Sequence, residues 1–140
     1  MHQGVGLLIG NKERELFFIQ KKDAGYQLPK WVGAYAFWGG KIEENDPSPF
    51  DALLRELSEE IVVDLDKNKI QFVNQFLVQS DKEYSFHLYE LLLTDEELTS
   101  LSTATILEGE CELVSKKNLL QKPWIWGLEK VIDAYFSTHV

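Results

Sequence analysis

Gly39-Gly40-Lys41, followed by Arg55-Glu56-Leu57-Ser58-Glu59-Glu60, is the part of this sequence from which fold and chemistry are most readily predicted. It couples a glycine turn to a helix that carries one arginine and three glutamates. Carboxylates on one helix face repel one another, so folding alone gives little reason to gather them. A divalent cation would give such a reason, and carboxylate-bound Mg²⁺ commonly serves substrates that carry phosphate.

The residues before the acidic stretch predict where its helix begins. Ser48 suits the N-cap, Pro49 suits the first helical position, and Asp51 lies three residues after the cap. Apolar residues recur at helical spacing and predict the buried face, which comprises Phe50, Leu53, Leu54, Leu57 and Ile61.

The three glutamates are expected beside that buried face. At about 100° per residue, Glu56, Glu59 and Glu60 fall within an arc of about 100°. Considered alone, the acids also fit an ordinary solvent-exposed face, on which Arg55 pairs with Glu59 four residues later. The glycine pair favours the ligand interpretation, because glycine lets the backbone approach a ligand closely.

The rest of the chain predicts strands interleaved with helices. Strands are predicted for residues 5–9, 15–20, 34–38, 70–78, 84–93 and 112–114. The short aromatic strand 34–38 ends at the glycine pair. Thr94 and Glu97 have the spacing of a capping box, which predicts a helix start. Residues 115–120 are predicted to form a turn or a single helical turn, and residues 126–136 are predicted to form an amphipathic helix. Without a simple βαβ repeat, this order predicts an α/β fold with a mixed sheet between helices.

Composition narrows the class of protein. With 140 residues, 44% of them hydrophobic and 26% charged, we expect one soluble domain spanning residues 1–140. No apolar run approaches the roughly 18 residues that cross a bilayer. The net charge of −9 disfavours nucleic-acid polymers and anionic membranes as partners. Because Cys111 is the only cysteine, no internal disulfide forms, and we expect a reducing, cytoplasmic setting.

Together, these residues resemble the Nudix box of the Nudix hydrolases. The family pattern is a glycine, five residues, a glutamate, seven residues, then Arg-Glu-apolar-any-Glu-Glu-any-Gly-apolar. Gly40 matches the first glycine and residues 55–60 match the core, so that the box runs from Gly40 to Val63. The resemblance implies the Nudix-type α/β/α sandwich, with a mixed β-sheet between helices.

The sequence departs from the family pattern in three places. Asp46 stands where the family has its first glutamate, and one extra residue precedes Arg55. We expect Asp46 either to brace the loop or to cap the helix. Val62 replaces the glycine that follows the helix, and valine disfavours the left-handed conformation that glycine supplies there. The acids at the centre of the box are retained.

The resemblance implies a Mg²⁺-dependent hydrolase, with Mn²⁺ as an alternative metal, that cleaves the pyrophosphate linkage of a nucleoside diphosphate derivative by attack of water at phosphorus. Glu56, Glu59 and Glu60 would hold the metal, helped by a backbone carbonyl of the pair that includes Gly40. Arg55 would orient one of these acids. The general base is expected to be Glu59 in the first place, then Glu110, then Glu108 in the loop before the last predicted strand.

Candidate substrate-binding residues lie next to the glycine pair. Lys41 follows it directly, and Trp38 and Tyr35 precede it, where aromatic rings are able to stack on a base. Lys21, Lys22 and Lys30 add positive charge to the same third of the chain, although each of them individually reads as a solvated surface lysine.

Two other functions share this fold. A catalytically silent Nudix-like sensor or interaction module would bind nucleotide without turnover, and retention of the box acids argues against it. An isoprenoid diphosphate isomerase would require a cysteine before the box, whereas Cys111 lies far downstream. The expected partner is therefore a small phosphorylated nucleotide, and the resemblance is also compatible with a homodimer.

Overall fold

The computed structural model describes residues 2–138. They form nine strands and four α-helices. The strands are β1 His2–Asn11, β2 Leu16–Lys21, β3 Tyr35–Ala36, β4 Trp38–Lys41, β5 Ile61–Val62, β6 Gln71–Gln79, β7 Glu83–Leu93, β8 Thr105–Ile106 and β9 Glu110–Ser115. The helices are α1 Pro49–Glu60, α2 Asp95–Ser100, α3 Lys116–Gln121 and α4 Glu129–Thr138.

Strand β1 organises the main sheet. It runs parallel to β7 along its whole length, from the pair His2–Tyr84 to the pair Asn11–Leu93. Its opposite edge pairs antiparallel with β4 near the N-terminus and with β2 near the C-terminus. Strand β6 follows β7, while β3 and β9 pair with β2. Parallel and antiparallel pairs therefore occur in one sheet, and the predicted mixed sheet is observed.

Helices cover both faces of this sheet because successive strand residues point to opposite sides. Leu8 and Ile19 belong to a core that also contains buried residues of α3 and α4. Leu7 and Phe18, their neighbours along the same strands, belong to a second core, shared with α1 and α2. The three layers form the predicted α/β/α sandwich.

Most predicted elements are found within one or two residues of their expected ends. The exception that concerns the site is the strand predicted for residues 34–38. It breaks at Phe37 and resumes as β4, so that Gly39 and Gly40 lie within a strand paired with β1 and not in a turn after it. The last helix begins at Glu129, because Trp126 takes a positive φ of 53° in the turn before it.

Helix α1 begins as predicted. The Ser48 hydroxyl accepts a hydrogen bond from the Asp51 amide at 3.1 Å, and Pro49 occupies the first helical position. The predicted capping box at Thr94 and Glu97 is also present at the start of α2. These local signals were predictable because capping depends on residues close together in sequence.

The end of α1 explains why the family glycine is dispensable here. The chain leaves the helix at Ile61 with an extended φ of −148° and enters β5 directly. Ile61 and Val62 pair antiparallel with Ile106 and Thr105 of β8. A β-branched residue suits this extended path, so Val62 fits where a left-handed turn would require glycine.

None of the helices in residues 2–138 is both long enough and apolar enough to cross a membrane.

Restoring the family glycine should destabilise this protein. Val62→Gly removes a strand side chain and adds freedom to the unfolded chain, and we expect it to lower the free energy of unfolding by about 1 kcal/mol. Urea unfolding followed by circular dichroism measures the change. Val32→Gly is the matched control, since Val32 is also exposed but lies in a loop outside the sheets. A stabilised Val62→Gly protein would contradict the extended exit from α1.

Candidate functional site

Glu60, the last residue of α1, is buried against the glycine pair. Its side chain accepts hydrogen bonds from the Gly39 amide at 2.7 Å and from the Gln20 side-chain amide at 3.0 Å. Only 2% of Glu60 is exposed. Burial raises its pKa to about 8, although both hydrogen bonds favour the charged form. A neighbouring cation would favour the ionised carboxylate, and its binding would release the proton.

Glu56 lies one turn earlier, against Gly40. A Cβ atom placed on residue 40 would lie 2.6 Å from the Glu56 carboxyl carbon, so the end of the Glu56 side chain would have to move away. Glycine at position 40 therefore makes room for this carboxylate beside the backbone of β4. Burial raises the pKa of Glu56, and the hydrogen bond from Arg55 at 3.1 Å opposes that rise.

Arg55 holds the acidic segment together. Its guanidinium donates to both carboxylate oxygens of Asp46, at 3.0 and 2.9 Å, and to the Lys41 carbonyl at 3.0 Å. It also lies 3.1 Å from Glu56 and 3.5 Å from Glu59. The expected pair with Glu59 is therefore present, but the two-point bond to Asp46 has the better geometry. The hydrogen bond to Asp46 is also the main cause of the raised pKa of Arg55.

Asp46 braces the loop between β4 and α1. Besides its bonds to Arg55, it accepts a hydrogen bond from the Glu43 amide at 2.7 Å. The helix cap is supplied by Ser48, so the structure decides between the two roles expected for Asp46. The Arg55 guanidinium and the Glu43 amide hold the pKa of the Asp46 carboxyl below its usual value.

The three box acids are not gathered at one point. Glu56 and Glu60 contact the glycine pair, whereas the Glu59 side chain is 54% exposed beside Arg55. Among residues 2–138, no three His, Cys, Asp or Glu side chains form a group that would hold a metal ion as they stand. The donors nevertheless fit Mg²⁺ or Mn²⁺ chemically, since carboxylate and backbone oxygens are hard ligands. A nearby cation would also stabilise the ionised forms of Glu56 and Glu60.

The loop before β9 places its two acids differently. The charge of Glu108 raises the pKa of both Glu56 and Glu60, so Glu108 is near enough to influence the box. Glu110 instead lies 3.8 Å from the Lys21 ammonium, opposite it across the β2–β9 pair. Of the two loop acids, Glu108 is therefore the one whose charge acts on the box, while the order of the candidate bases stays a prediction.

A cavity of about 430 Å³ adjoins the glycine pair. Gly39, Gly40 and Lys41 form part of its wall. The rest is mainly apolar and aromatic, with two further lysines, and includes Lys22, Tyr26, Phe37, Lys82, Tyr84, Phe86, Ile125, Trp126 and Leu128. Lysines offer charge to an anionic ligand and the rings offer flat apolar surface, so the cavity suits a molecule with both parts.

Two of the predicted substrate contacts are core residues. Trp38 is fully buried, and its indole donates to the Phe18 carbonyl at 3.0 Å, while the two rings stack. Tyr35 is 2% exposed, and its hydroxyl donates to Glu112. Both side chains are buried in the core. The prediction that these two rings contact substrate is therefore wrong for this arrangement. Lys41, by contrast, is exposed and lines the cavity, and its contact with substrate stays a prediction.

Lys22 and Gln20 were missed by the sequence analysis. Lys22, expected on the surface, is 8% exposed, lies 4.9 Å from the Tyr26 ring centroid and donates to Gln20 at 3.1 Å. Gln20 is fully buried beside Glu60. The available signal was a glutamine that continues the alternation of the apolar strand Leu16–Lys21 onto the side of Phe18.

Comparisons with known proteins agree on the fold. A family model described as NUDIX domain matches residues 1–135. No curated protein matches the chain in sequence. A MutT protein from Methanosarcina mazei Go1 superposes with a TM-score of 0.70 at 16% identity, over 99% of this chain and 94% of that one.

Two further solved structures are similar in the same way. A structure of MutT, from work on Aliivibrio salmonicida and Vibrio cholerae, has a TM-score of 0.66 at 23% identity, covering 98% of each chain. The NUDIX domain of Shewanella oneidensis NrtR, complexed with ADP ribose, has a TM-score of 0.69 at 15% identity, over 99% of this chain and 88% of that one.

The Asp46–Arg55 bond predicts a specific pH dependence of stability. Because the folded-state pKa of Asp46 is depressed, its contribution is complete above its unfolded pKa of about 4 and is lost as the pH falls through the folded value. Asp46→Asn should therefore unfold at lower urea than wild type at pH 7, with the gap closing towards pH 2. Urea midpoints across this range measure it.

Asp64→Asn is the control, because Asp64 is exposed and forms no ion pair with any residue in 2–138. Its midpoint should follow wild type at every pH. A constant gap between Asp46→Asn and wild type down to pH 2 would contradict the ionic origin of the brace.

Proposed function

This chain belongs to the Nudix family, and from that premise we propose that it hydrolyses the pyrophosphate linkage of a nucleoside diphosphate derivative with the help of Mg²⁺ or Mn²⁺. Membership of the family supports the predicted enzyme class, a Nudix pyrophosphohydrolase. The substrate, the metal and the individual residue roles are the further content of the proposal.

The observation that carries the proposal is that two carboxylates are buried against the glycine backbone beside a cavity. Glu60 and Glu56 contact Gly39 and Gly40, and the same glycines form part of the cavity wall. Burying a carboxylate is costly unless its charge is compensated. A cation between these acids and an anionic ligand would compensate them and would explain why they are kept there.

The box residues have distinct parts in this proposal. Glu56 and Glu60 hold the metal with the backbone at Gly40, and the exposed Glu59 completes the set. When bound, the metal neutralises the pyrophosphate and activates water at neutral pH. Arg55 positions Glu56 and Glu59, since its hydrogen bonds go to acids and to the Lys41 carbonyl.

Glu59 remains the first choice as general base. It is the most exposed of the box acids, so water reaches it, and Arg55 restrains it from one side. Glu108 takes the second place, because its charge acts on Glu56 and Glu60. We no longer propose Glu110 as a candidate base, because its carboxylate faces the Lys21 ammonium.

The cavity supports a nucleotide derivative as the substrate. Lys22, Lys41 and Lys82 provide positive charge in a protein of net charge −9, and the aromatic wall accommodates a base. The bound ADP ribose of the Shewanella domain is one molecule of this class. We extend the class, and not that particular ligand, to this protein.

A sensor or interaction module is the second candidate. The departures at Asp46 and Val62 are what would favour it, but both are accommodated by the fold, one as a loop brace and the other in an extended strand. Neither removes a box acid. The sensor remains the interpretation to adopt should metal and nucleotide bind without turnover.

We further propose that residues 1–140 act as one domain in the cytoplasm. The single Cys111 suits a reducing compartment. A homodimer remains a prediction, and sedimentation of the purified chain would test it.

Hydrolysis of a nucleotide panel tests the function directly. We expect Mg²⁺-dependent release of a nucleoside monophosphate or of phosphate products from at least one member among nucleoside triphosphates, nucleotide sugars, dinucleoside polyphosphates and ADP-ribose. Glu56→Gln should lower kcat by more than about 100-fold, because it removes a charged metal ligand. Glu13→Gln, at an exposed acid in the turn after β1, is the matched control and should retain wild-type rates. Inactivity across the panel with metal bound would favour the sensor.

The base is assigned by comparing three isosteric variants. Glu59→Gln should lower kcat by about 10²- to 10⁴-fold, the range for loss of a general base, and flatten the acidic limb of the pH–rate profile. Glu108→Gln should have a smaller effect, and Glu110→Gln should stay within about twofold of wild type. Steady-state kinetics with Mg²⁺ at several pH values measure all three. Near-normal turnover by Glu59→Gln would contradict the first assignment, and a large loss in Glu110→Gln would restore the sequence-based order.

A further inference from the structure

Gln20 is a fully buried amide in a strand that is otherwise apolar. It lies near the end of β2, on the side of the sheet that faces α1. A buried amide costs free energy unless it is hydrogen-bonded, and an apolar side chain would fill this position without that requirement. A polar residue retained in a core strand therefore indicates a role beyond packing.

The hydrogen bonds of Gln20 connect separate parts of the site. Its side-chain nitrogen donates to the Glu60 carboxylate at 3.0 Å and to the Glu108 carbonyl at 3.2 Å. Its side-chain oxygen accepts from the Lys22 ammonium at 3.1 Å. The amide orientation is determined by these partners, because the reverse orientation would oppose oxygen to two acceptors and nitrogen to a cation.

The link to the loop before β9 is reinforced through the backbone. The Leu107 amide donates to the Glu60 carbonyl at 2.7 Å, next to the β5–β8 pair. The loop that carries Glu108 is thus fastened to Glu60 through the main chain and to Gln20 through a side chain. The Gln20 side chain joins the Glu60 carboxylate, this loop and a lysine of the cavity wall.

We propose that Gln20 is a positioning residue, which holds the Glu60 carboxylate and the Glu108 loop in the arrangement that the divalent cation requires. The inference rests on the proposed metal-dependent function. In this role Gln20 contacts neither the metal nor the substrate. It orients the Glu60 carboxylate through a hydrogen bond, as hydrogen-bond partners of metal ligands do.

The test replaces the amide without changing its volume. Gln20→Met should weaken Mn²⁺ binding by about 10- to 100-fold, measured by the electron paramagnetic resonance signal of free Mn²⁺, and lower kcat to a similar extent. KM for the nucleotide should change by less than about threefold, since the cavity wall is intact. Gln75→Met is the matched control, because Gln75 is also a strand glutamine bonded to one side chain, Ser85, away from the box. It should bind Mn²⁺ and turn over as wild type does.

A second measurement uses the unaltered protein. In ¹⁵N spectra, the side-chain amide of Gln20 should shift on addition of Mg²⁺, because a cation on Glu60 withdraws charge from the acceptor of its hydrogen bond. The amide of Gln75 should not shift. This readout is independent of turnover and of how well any variant folds.

The outcomes separate this inference from the function on which it rests. If wild type binds Mn²⁺ and hydrolyses nucleotide while Gln20→Met matches it within about twofold, the positioning role is overturned and the function stands. An unshifted Gln20 amide at saturating Mg²⁺ also overturns the role. A wild type that neither binds Mn²⁺ nor hydrolyses any substrate overturns the function, and the inference with it.

Discussion

The hydrogen bond from the Gly39 amide to the Glu60 carboxylate joins strand β4 to the end of helix α1, and the site depends on this contact. It exists because residue 39 has no side chain. A Cβ there would lie 2.1 Å from the Val5 carbonyl oxygen, and φ is +149°, so only glycine lets β4 lie this close to β1. Gly40 in turn leaves the space beside β4 that the end of the Glu56 side chain occupies. The carboxylates of Glu60 and Glu56 therefore lie against the backbone of two glycines that line the cavity.

This arrangement opposes the stability of α1. Glu56, Glu59 and Glu60 crowd the C-terminal half of the helix, where the helix dipole disfavours negative charge, and no basic residue lies in the last turn. Arg55 offsets part of the repulsion by bonding Glu56 and, more weakly, Glu59. Glu60 forms no ion pair of this kind with any residue in 2–138, and burial raises its pKa to about 8. An acidic helix end that folding disfavours is best explained by a ligand that favours it.

Residues close together in sequence made much of the fold predictable. The cap at Ser48, the apolar face of α1 and the long hairpin follow from short-range patterns, and the structure contains all three. The glycine-and-acid spacing also led to the family. What failed depended on tertiary placement. Nothing local distinguishes a buried Trp38 from an exposed one, because strand pairing decides which way each side chain points.

Gln20 and Lys22 were missed for a related reason. A polar residue at the end of an apolar strand usually marks the sheet edge, and Lys22 reads as solvated until Tyr26 and Gln20 are seen to surround it. Two partners of Gln20 lie far away in sequence, Glu60 by 40 residues and Glu108 by 88. Only the packing of β2 against α1 and the loop before β9 reveals that they belong to the site.

The two departures in the loop between β4 and α1 are best understood as one change. Aspartate is shorter than glutamate by one methylene, about 1.5 Å of reach. The extra residue in the loop supplies up to about 3.5 Å of chain, which is more than enough to bring the shorter acid to Arg55. The observed two-point bond, at 3.0 and 2.9 Å, shows that Asp46 reaches the guanidinium fully. The longer loop with its shorter acid therefore still permits the two-point bond to Arg55, which in turn bonds Glu56 and Glu59.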